Sequence, residues 1–126
     1  MNIQGFMHAK LDVTDMERSE RFYRDLLGLQ EIVRYKIPKG EILQLSPTGA
    51  SPGVELWYEE PMEPAPRTKL HIAFQVDDTR AWVAHLRERG VVIAEEPFEI
   101  GHEVIAFIRD PDGYLIELNQ TRESAP

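Results

Sequence analysis

The chain contains no cysteine. That removes disulfides, thiolate metal sites and cysteine nucleophiles together, and it fits a reducing cytoplasm. Long hydrophobic stretches are also missing: nowhere do 18 apolar residues run together, so no transmembrane helix is expected. The start, Met1-Asn2-Ile3-Gln4-Gly5-Phe6, has neither the basic opening nor the apolar run of a secretory leader. Positive charge is in short supply, with 14 Lys and Arg against 22 Asp and Glu and a net charge of −8. Such a surface repels phosphate backbones and anionic lipid, so neither nucleic acid nor a membrane is an expected partner. Several catalytic signatures are absent as well: no G-x-S-x-G elbow, no P-loop, no G-x-G-x-x-G and no C-x-x-C. Any chemistry must come from oxygen and nitrogen side chains, which favour hard or borderline metals.

What is present suits one domain with a core, since 42% of the 126 residues are apolar. Met7–Val13 alternates Met7, Ala9, Leu11 and Val13 against His8, Lys10 and Asp12, the pattern of a half-buried strand. Thr14 or Asp15 then caps a helix carrying Phe22, Tyr23, Leu26, Leu27 and Leu29, with Gly28 at its left-handed end. Strands are predicted over Glu31–Ile37, Glu41–Ser46 and Val54–Tyr58, parted by turn chemistry at Pro38-Lys39-Gly40 and Pro47–Gly53.

The pattern then repeats. Leu70, Ile72, Phe74 and Val76 alternate with His71, Ala73 and Gln75. Asp77, Asp78 or Thr79 caps a second helix with Trp82, Val83 and Leu86 as its stripe and Gly90 as its end. Strands are predicted at Val91–Glu95, Glu103–Arg109 and Tyr114–Asn119, with Asp110-Pro111-Asp112-Gly113 as a hairpin turn. His8 to His71, Val13 to Val76 and Asp15 to Asp78 are each offset by 63 residues, and Gly28 to Gly90 and Glu55 to Glu117 by 62. The expected fold is therefore α+β: one domain, 1–126, of two βαβββ modules, module one 1–60 and module two 67–126. A stiff linker, 60–66, carries Pro61, Pro64 and Pro66.

Each module places a His near the start of its first strand and a Glu in its last, on the less apolar faces. Taken singly, a strand His or Glu usually faces solvent or pairs with a basic side chain. Four of them at equivalent points of two modules point to one divalent metal held by His8, Glu55, His71 and Glu117. A cation there would offset the burial of two carboxylates, each costly if unpaired. Two imidazoles and two carboxylates suit Ni, Zn or Co first, with Fe or Mn also compatible, and leave positions open for substrate. His85 is expected to be exposed on the second helix, and His102, after Gly101, lies in a loop from which it could reach a ligand. Trp57, Tyr58 and Phe107 supply aromatic surface.

These residues resemble the vicinal oxygen chelate superfamily, which includes glyoxalase I, fosfomycin-resistance proteins, extradiol dioxygenases and bleomycin-resistance proteins. Phe22-Tyr23 with Leu27-Gly28 is similar to the end of the family's first helix, and Phe107–Leu118 to its F-x-x-DPDG-x-x-x-EL close. The resemblance implies paired modules forming a cup-shaped mixed sheet around the metal. Extradiol dioxygenases and fosfomycin-resistance proteins lack an acid at the position of Glu55. Methylmalonyl-CoA epimerases typically carry Gln there, and bleomycin-resistance proteins bind their drug without metal. The His–Glu–His–Glu set is most similar to that of glyoxalase I.

That likeness implies a metal-dependent isomerase acting on the hemithioacetal of a 2-oxoaldehyde and a thiol, yielding a 2-hydroxyacyl thioester. Glu117 is the first choice for the base and Glu55 stands opposite it. The alternatives are another metalloenzyme of the superfamily, a dioxygenase or a fosfomycin-resistance-like transferase, and a metal-free binder of small molecules. Asp12, Trp57, Glu59 and His102 are the expected substrate contacts. Asp12 and Glu59 depart from the basic residue and the Asn that glutathione-binding relatives carry there, so two acids meet a substrate that would bring carboxylates of its own. Lys10 is placed to neutralise Asp12, and Arg67 or Arg109 to supply a cation. A homodimer is expected because open sheet edges need cover. In glyoxalase I the site is shared between chains, with His8 and Glu55 from one subunit and His71 and Glu117 from the other; an intrachain site is equally compatible with the linker.

Overall fold

The computed structural model describes residues 1–62 and 71–121. The chain divides into two compact units, Met1–Pro66 and Arg67–Pro126. Leu70, Arg67 and the later part of the expected linker, 63–66, lie outside the described residues.

In the first unit, strand β1 (His8–Asp12) leads through Asp15 into helix α1 (Met16–Glu20). The Asp15 side chain accepts the Arg18 amide at 3.0 Å, so Asp15 rather than Thr14 is the cap. An unbroken α-helix is the sequence expectation, but Arg21–Leu26 is π-helical, with the Leu27 amide bonded to the Phe22 carbonyl five residues back. The wider turn lets two consecutive aromatics, Phe22 and Tyr23, both be buried, with their rings edge to face at 5.0 Å. Gly28 then ends the helix at φ 78°, as the spacing predicts.

Strands β2 (Gln30–Ile37), β3 (Gly40–Ser46) and β4 (Gly53–Glu59) complete a four-stranded sheet of order β1-β4-β3-β2. Strand β1 lies parallel to β4, and the other pairs are antiparallel. Leu11, Val13, Leu43, Leu45, Val54 and Leu56 are buried together with Met16 and Phe22 of the helical segment. Burying each side chain of this size stabilises the unit by about 1.5–3 kcal/mol. Arg34 joins sheet to helix by donating to Glu20 at 2.7 Å.

The second unit repeats this plan with β5 (His71–Gln75), α2 (Thr79–Glu88), β6 (Ile93–Ile100), β7 (Glu103–Arg109) and β8 (Leu115–Thr121), ordered β5-β8-β7-β6. Asp78 caps α2 by accepting the Ala81 amide at 3.0 Å, and Gly90 ends it at φ 81°. Thr79 is fully buried and donates its hydroxyl to the Val104 carbonyl at 2.7 Å, fixing the helix start to the sheet. Val83 and Leu86 pack inward with Val104, Ala106, Ile108, Ile116 and Leu118.

Strand β6 begins later and runs further than the predicted Val91–Glu95. Its ladder is irregular between Glu95 and Phe98, where Pro97 falls. Proline lacks the amide a ladder needs, but β6 is an edge strand, so an irregularity there accommodates it. Among the described residues no helix is long and apolar enough to cross a membrane.

Candidate metal and active site

The alternation of β1 and β4 sends Leu11, Val13, Val54 and Leu56 to the buried side and leaves His8, Lys10, Asp12, Glu55 and Trp57 together on the other face of the first sheet. In register, Lys10 lies opposite Glu55, and His8 lies opposite Gly53. Gly53 has no side chain to stand beside the imidazole, and a Cβ there would meet the Leu45 carbonyl oxygen at 2.2 Å. The His8 ring reaches along the face so that its Nε2 lies 3.5 Å from Glu55 Oε2.

The second sheet repeats the arrangement. His71 lies opposite Leu115, Ala73 opposite Glu117, and His71 Nε2 is 3.3 Å from Glu117 Oε1. Each unit thus brings together its own His and Glu. Among the described residues, no group of three or more such side chains gathers within either unit. Two ligand bonds of about 2.1 Å set at about 90–110° hold their donor atoms about 3.0–3.4 Å apart. The spacing in each pair is close to that bite, and the nitrogen and oxygen donors fit a borderline divalent ion. The residues present therefore fit the metal that the sequence implies.

The two carboxylates are held differently. Glu55 is 7% exposed, and Gln44 Nε2 donates to its Oε2 at 2.7 Å. Glu117 is less enclosed; Asn119 Nδ2 donates to its Oε2 at 2.9 Å while His71 faces the other oxygen. The sequence argument from uncompensated burial needs correction here. Val54 and Leu56, like Ile116 and Leu118, point away from the carboxylates, and an amide satisfies each acid. Among the described residues no buried side-chain nitrogen or oxygen lacks a partner. Gln44 and Asn119 escaped the sequence reading. The available signals were a lone Gln inside the apolar run Ile42-Leu43-Leu45, and an Asn two residues beyond a candidate ligand on the same strand face.

Of the expected substrate contacts, Trp57 and Asp12 stand on the His8–Glu55 face, opposite each other in register. Lys10 pairs with Asp12 at 3.1 Å and lies over the Trp57 ring at 4.6 Å, so the neutralisation expected of Lys10 is present. Glu59 is exposed at the end of β4, further along the same face. His102 is exposed in the β6–β7 turn, at the Glu103–Thr121 end of its sheet, whereas His71 lies at the Leu115 end. Within this unit it is not brought to the His71–Glu117 pair.

Arg109 donates to the Gly113 carbonyl at 2.7 Å within the hairpin turn, and Arg67 lies outside the described residues. The aromatic surface is partly spoken for: the Phe107 ring meets the His71 ring edge to face at 5.3 Å, and the Tyr58 hydroxyl donates to Glu60 at 2.7 Å. His85 is exposed on α2, beside Arg89 and Trp82.

The hairpin that delivers Glu117 depends on Asp110. This buried residue accepts the amides of Asp112 at 2.9 Å and Tyr114 at 2.8 Å, and Gly113 takes φ 92°. The turn sets where β8 begins and so fixes the register of Glu117 against Ala73 and Phe107.

Comparison with known proteins places the chain in a family. Residues 5–118 match the family model described as Glyoxalase/Bleomycin resistance protein/Dioxygenase superfamily. A probable lactoylglutathione lyase of Synechocystis is 32% identical over 124 residues, covering 91% of this chain and 94% of its own. The trypanothione-dependent glyoxalase I of Leishmania major superposes with a TM-score of 0.80 at 30% identity, covering 94% of this chain and 87% of its own. TnmS3, an antibiotic-binding protein of Streptomyces, superposes with a TM-score of 0.79 at 30% identity, covering 96% and 98%. By its matched family model, its two βαβββ units and its full-length similarity to lactoylglutathione lyases, the chain belongs to the Glyoxalase/Bleomycin resistance protein/Dioxygenase superfamily, as a glyoxalase I-like enzyme.

Proposed function

We propose that the protein is a metal-dependent isomerase of glyoxalase I type, acting on the hemithioacetal of a 2-oxoaldehyde and a thiol. The observation that carries this reading is the matched His–Glu pair, His8 with Glu55 and His71 with Glu117, at equivalent register in both sheets. These four side chains would hold one divalent ion, Ni, Zn or Co first. When bound, the ion supplies Lewis-acid polarisation of the two adjacent oxygens of the substrate.

Glu117 is the base. Its carboxylate takes the proton from the carbon that bears sulfur and oxygen; a proton is returned to the neighbouring carbonyl carbon, and the hydroxyl proton passes to the neighbouring oxygen, so the reaction is a net isomerisation. Asn119 steadies one oxygen of Glu117 while the other faces His71. Phe107 meets the His71 ring edge to face and so orients the imidazole beside Glu117. Glu55 serves the return step or the opposite stereoisomer. The protein works in the cytoplasm as a homodimer.

The test is direct. Protein purified without chelator is analysed for metal and assayed with methylglyoxal and a panel of thiols. Stoichiometric metal with thiol-dependent turnover supports the proposal, as does its loss on chelation and return on adding nickel(II). A metal-replete sample inert with every thiol retires it. A second reading, a metal-free small-molecule binder, is favoured by the likeness to the Streptomyces antibiotic-binding protein. Protein that purifies without metal, and whose tryptophan fluorescence is saturably quenched by an aromatic ligand, would establish that one.

A further inference from the structure

We propose that Gln44 is a positioning residue for the metal site, one that makes the two carboxylates unequal; this rests on the four-residue metal reading above. Counting along the repeat, position 44 corresponds to position 107, an offset of 63. Both residues stand on the third strand of their module, directly opposite the glutamate: Gln44 opposite Glu55, and Phe107 opposite Glu117. The backbone frames match, but the side chains do opposite things.

In the first unit the Gln44 amide donates across the sheet to Glu55 Oε2, the same oxygen that His8 Nε2 faces at 3.5 Å. Glu55 is thereby clamped between its two neighbouring strands, β1 and β3. In the second unit Phe107 can donate nothing and instead packs against the ring of His71. The amide that reaches Glu117 comes from its own strand and binds the oxygen that His71 does not face.

Two consequences follow from this chemistry. An amide hydrogen bond on the ligating oxygen fixes its direction, so Glu55 stays aligned with His8 at little entropic cost when the ion binds. It also ties Glu55 to the neighbouring strand β3, which makes this carboxylate the better fixed anchor of the two. Glu117 has no such donor on the strand opposite it, since Phe107 stands there, and is tied only along its own strand.

The experiment compares wild type, Q44M, which is close in shape but cannot donate, and Q44H, which restores an N–H at similar reach. Each apoprotein is titrated with nickel(II) ion alone against a chromophoric chelator, and its thermal unfolding is recorded. Loss of a hydrogen-bonding partner behind a ligand typically weakens metal binding by about 10- to 100-fold. The expected result is that loss in Q44M, substantial recovery in Q44H, and apoprotein melting temperatures close to wild type. Q44M that binds nickel as tightly as wild type overturns the role of Gln44 while leaving the metal site standing. Wild-type protein that binds no nickel ends both. Should Q44M not fold, Q44H that folds and binds nickel far more weakly than wild type also counts against it.

Discussion

Gln44 and Phe107 occupy the same register position in the two sheets, opposite Glu55 and Glu117, yet only one of them can donate a hydrogen bond. A repeated backbone therefore carries two different environments for one residue type. In the first, Glu55 is buried and held across the sheet; in the second, Glu117 sits beside an aromatic and is tied along its own strand. The fold is symmetric here while the surroundings of the two carboxylates are not.

If Glu117 is the base, E117Q loses turnover by about 10²- to 10⁴-fold, the usual contribution of a positioned proton-transfer group. E55Q should lose less with the same stereoisomer, its effect being chiefly on metal retention. Steady-state kcat for both variants, at saturating nickel(II), decides the matter. Equal losses would assign the two acids equal parts.

Asp12 and Glu59 share the face of His8 and Glu55, and Lys10 already answers Asp12. If substrate binds over this face, a thiol bearing several carboxylates should be a poorer substrate than a neutral or cationic one. Replacing the acids by D12R and E59N should lower KM for the glutathione hemithioacetal by several-fold, each removed repulsion being on the order of 1 kcal/mol. The kcat should stay near that of the parent. A KM indifferent to both changes would mean that these acids do not meet the substrate.

Glu20 anchors α1 to the sheet through Arg34 and to the next turn through Arg24. Burial works to raise its carboxyl, but hydrogen bonds and charge from Arg34, with help from Arg24, outweigh this and hold it below the ordinary value of 4.5. The unfolded chain thus binds this proton more readily than the folded one. The stabilisation is present above pH 4.5 and is lost as pH falls through the lower folded value. E20Q should cost about 1 kcal/mol near neutrality, after allowing for solvent screening, and progressively less toward pH 3. Denaturant melts of both proteins across that range measure it; a difference independent of pH would rule out the carboxylate charge as its source.

D110A removes the acceptor of two turn amides and should destabilise the protein by about 1–3 kcal/mol, whereas D110N, which keeps an acceptor oxygen, should cost much less. Urea unfolding distinguishes them. Because this turn sets the start of β8, D110A should also weaken nickel(II) binding through Glu117.

The His–Glu pair of each unit was readable from the chain because duplication leaves a count: two His and two Glu, offset by 62 or 63, each pair on one face of its own sheet. The succession of strands and helices along the chain, both helix ends and the Asp110–Gly113 turn were readable for a similar reason, since periodicity, caps and turn residues act within a few positions. The π-helical Arg21–Leu26 was not, because it answers to the burial of adjacent aromatics in a core assembled from distant strands. Nor was the course of β6 through Pro97, which depends on its being an edge strand.

Sequence alone determined that His8 with Glu55 and His71 with Glu117 stand at equivalent points of a repeat. Only the tertiary structure decided how each carboxylate is held, whether from a neighbouring strand by Gln44 or from its own by Asn119. That choice depends on which strands lie side by side and in what register, and the pairing of residues distant along the chain is set by packing of the whole sheet rather than by local pattern.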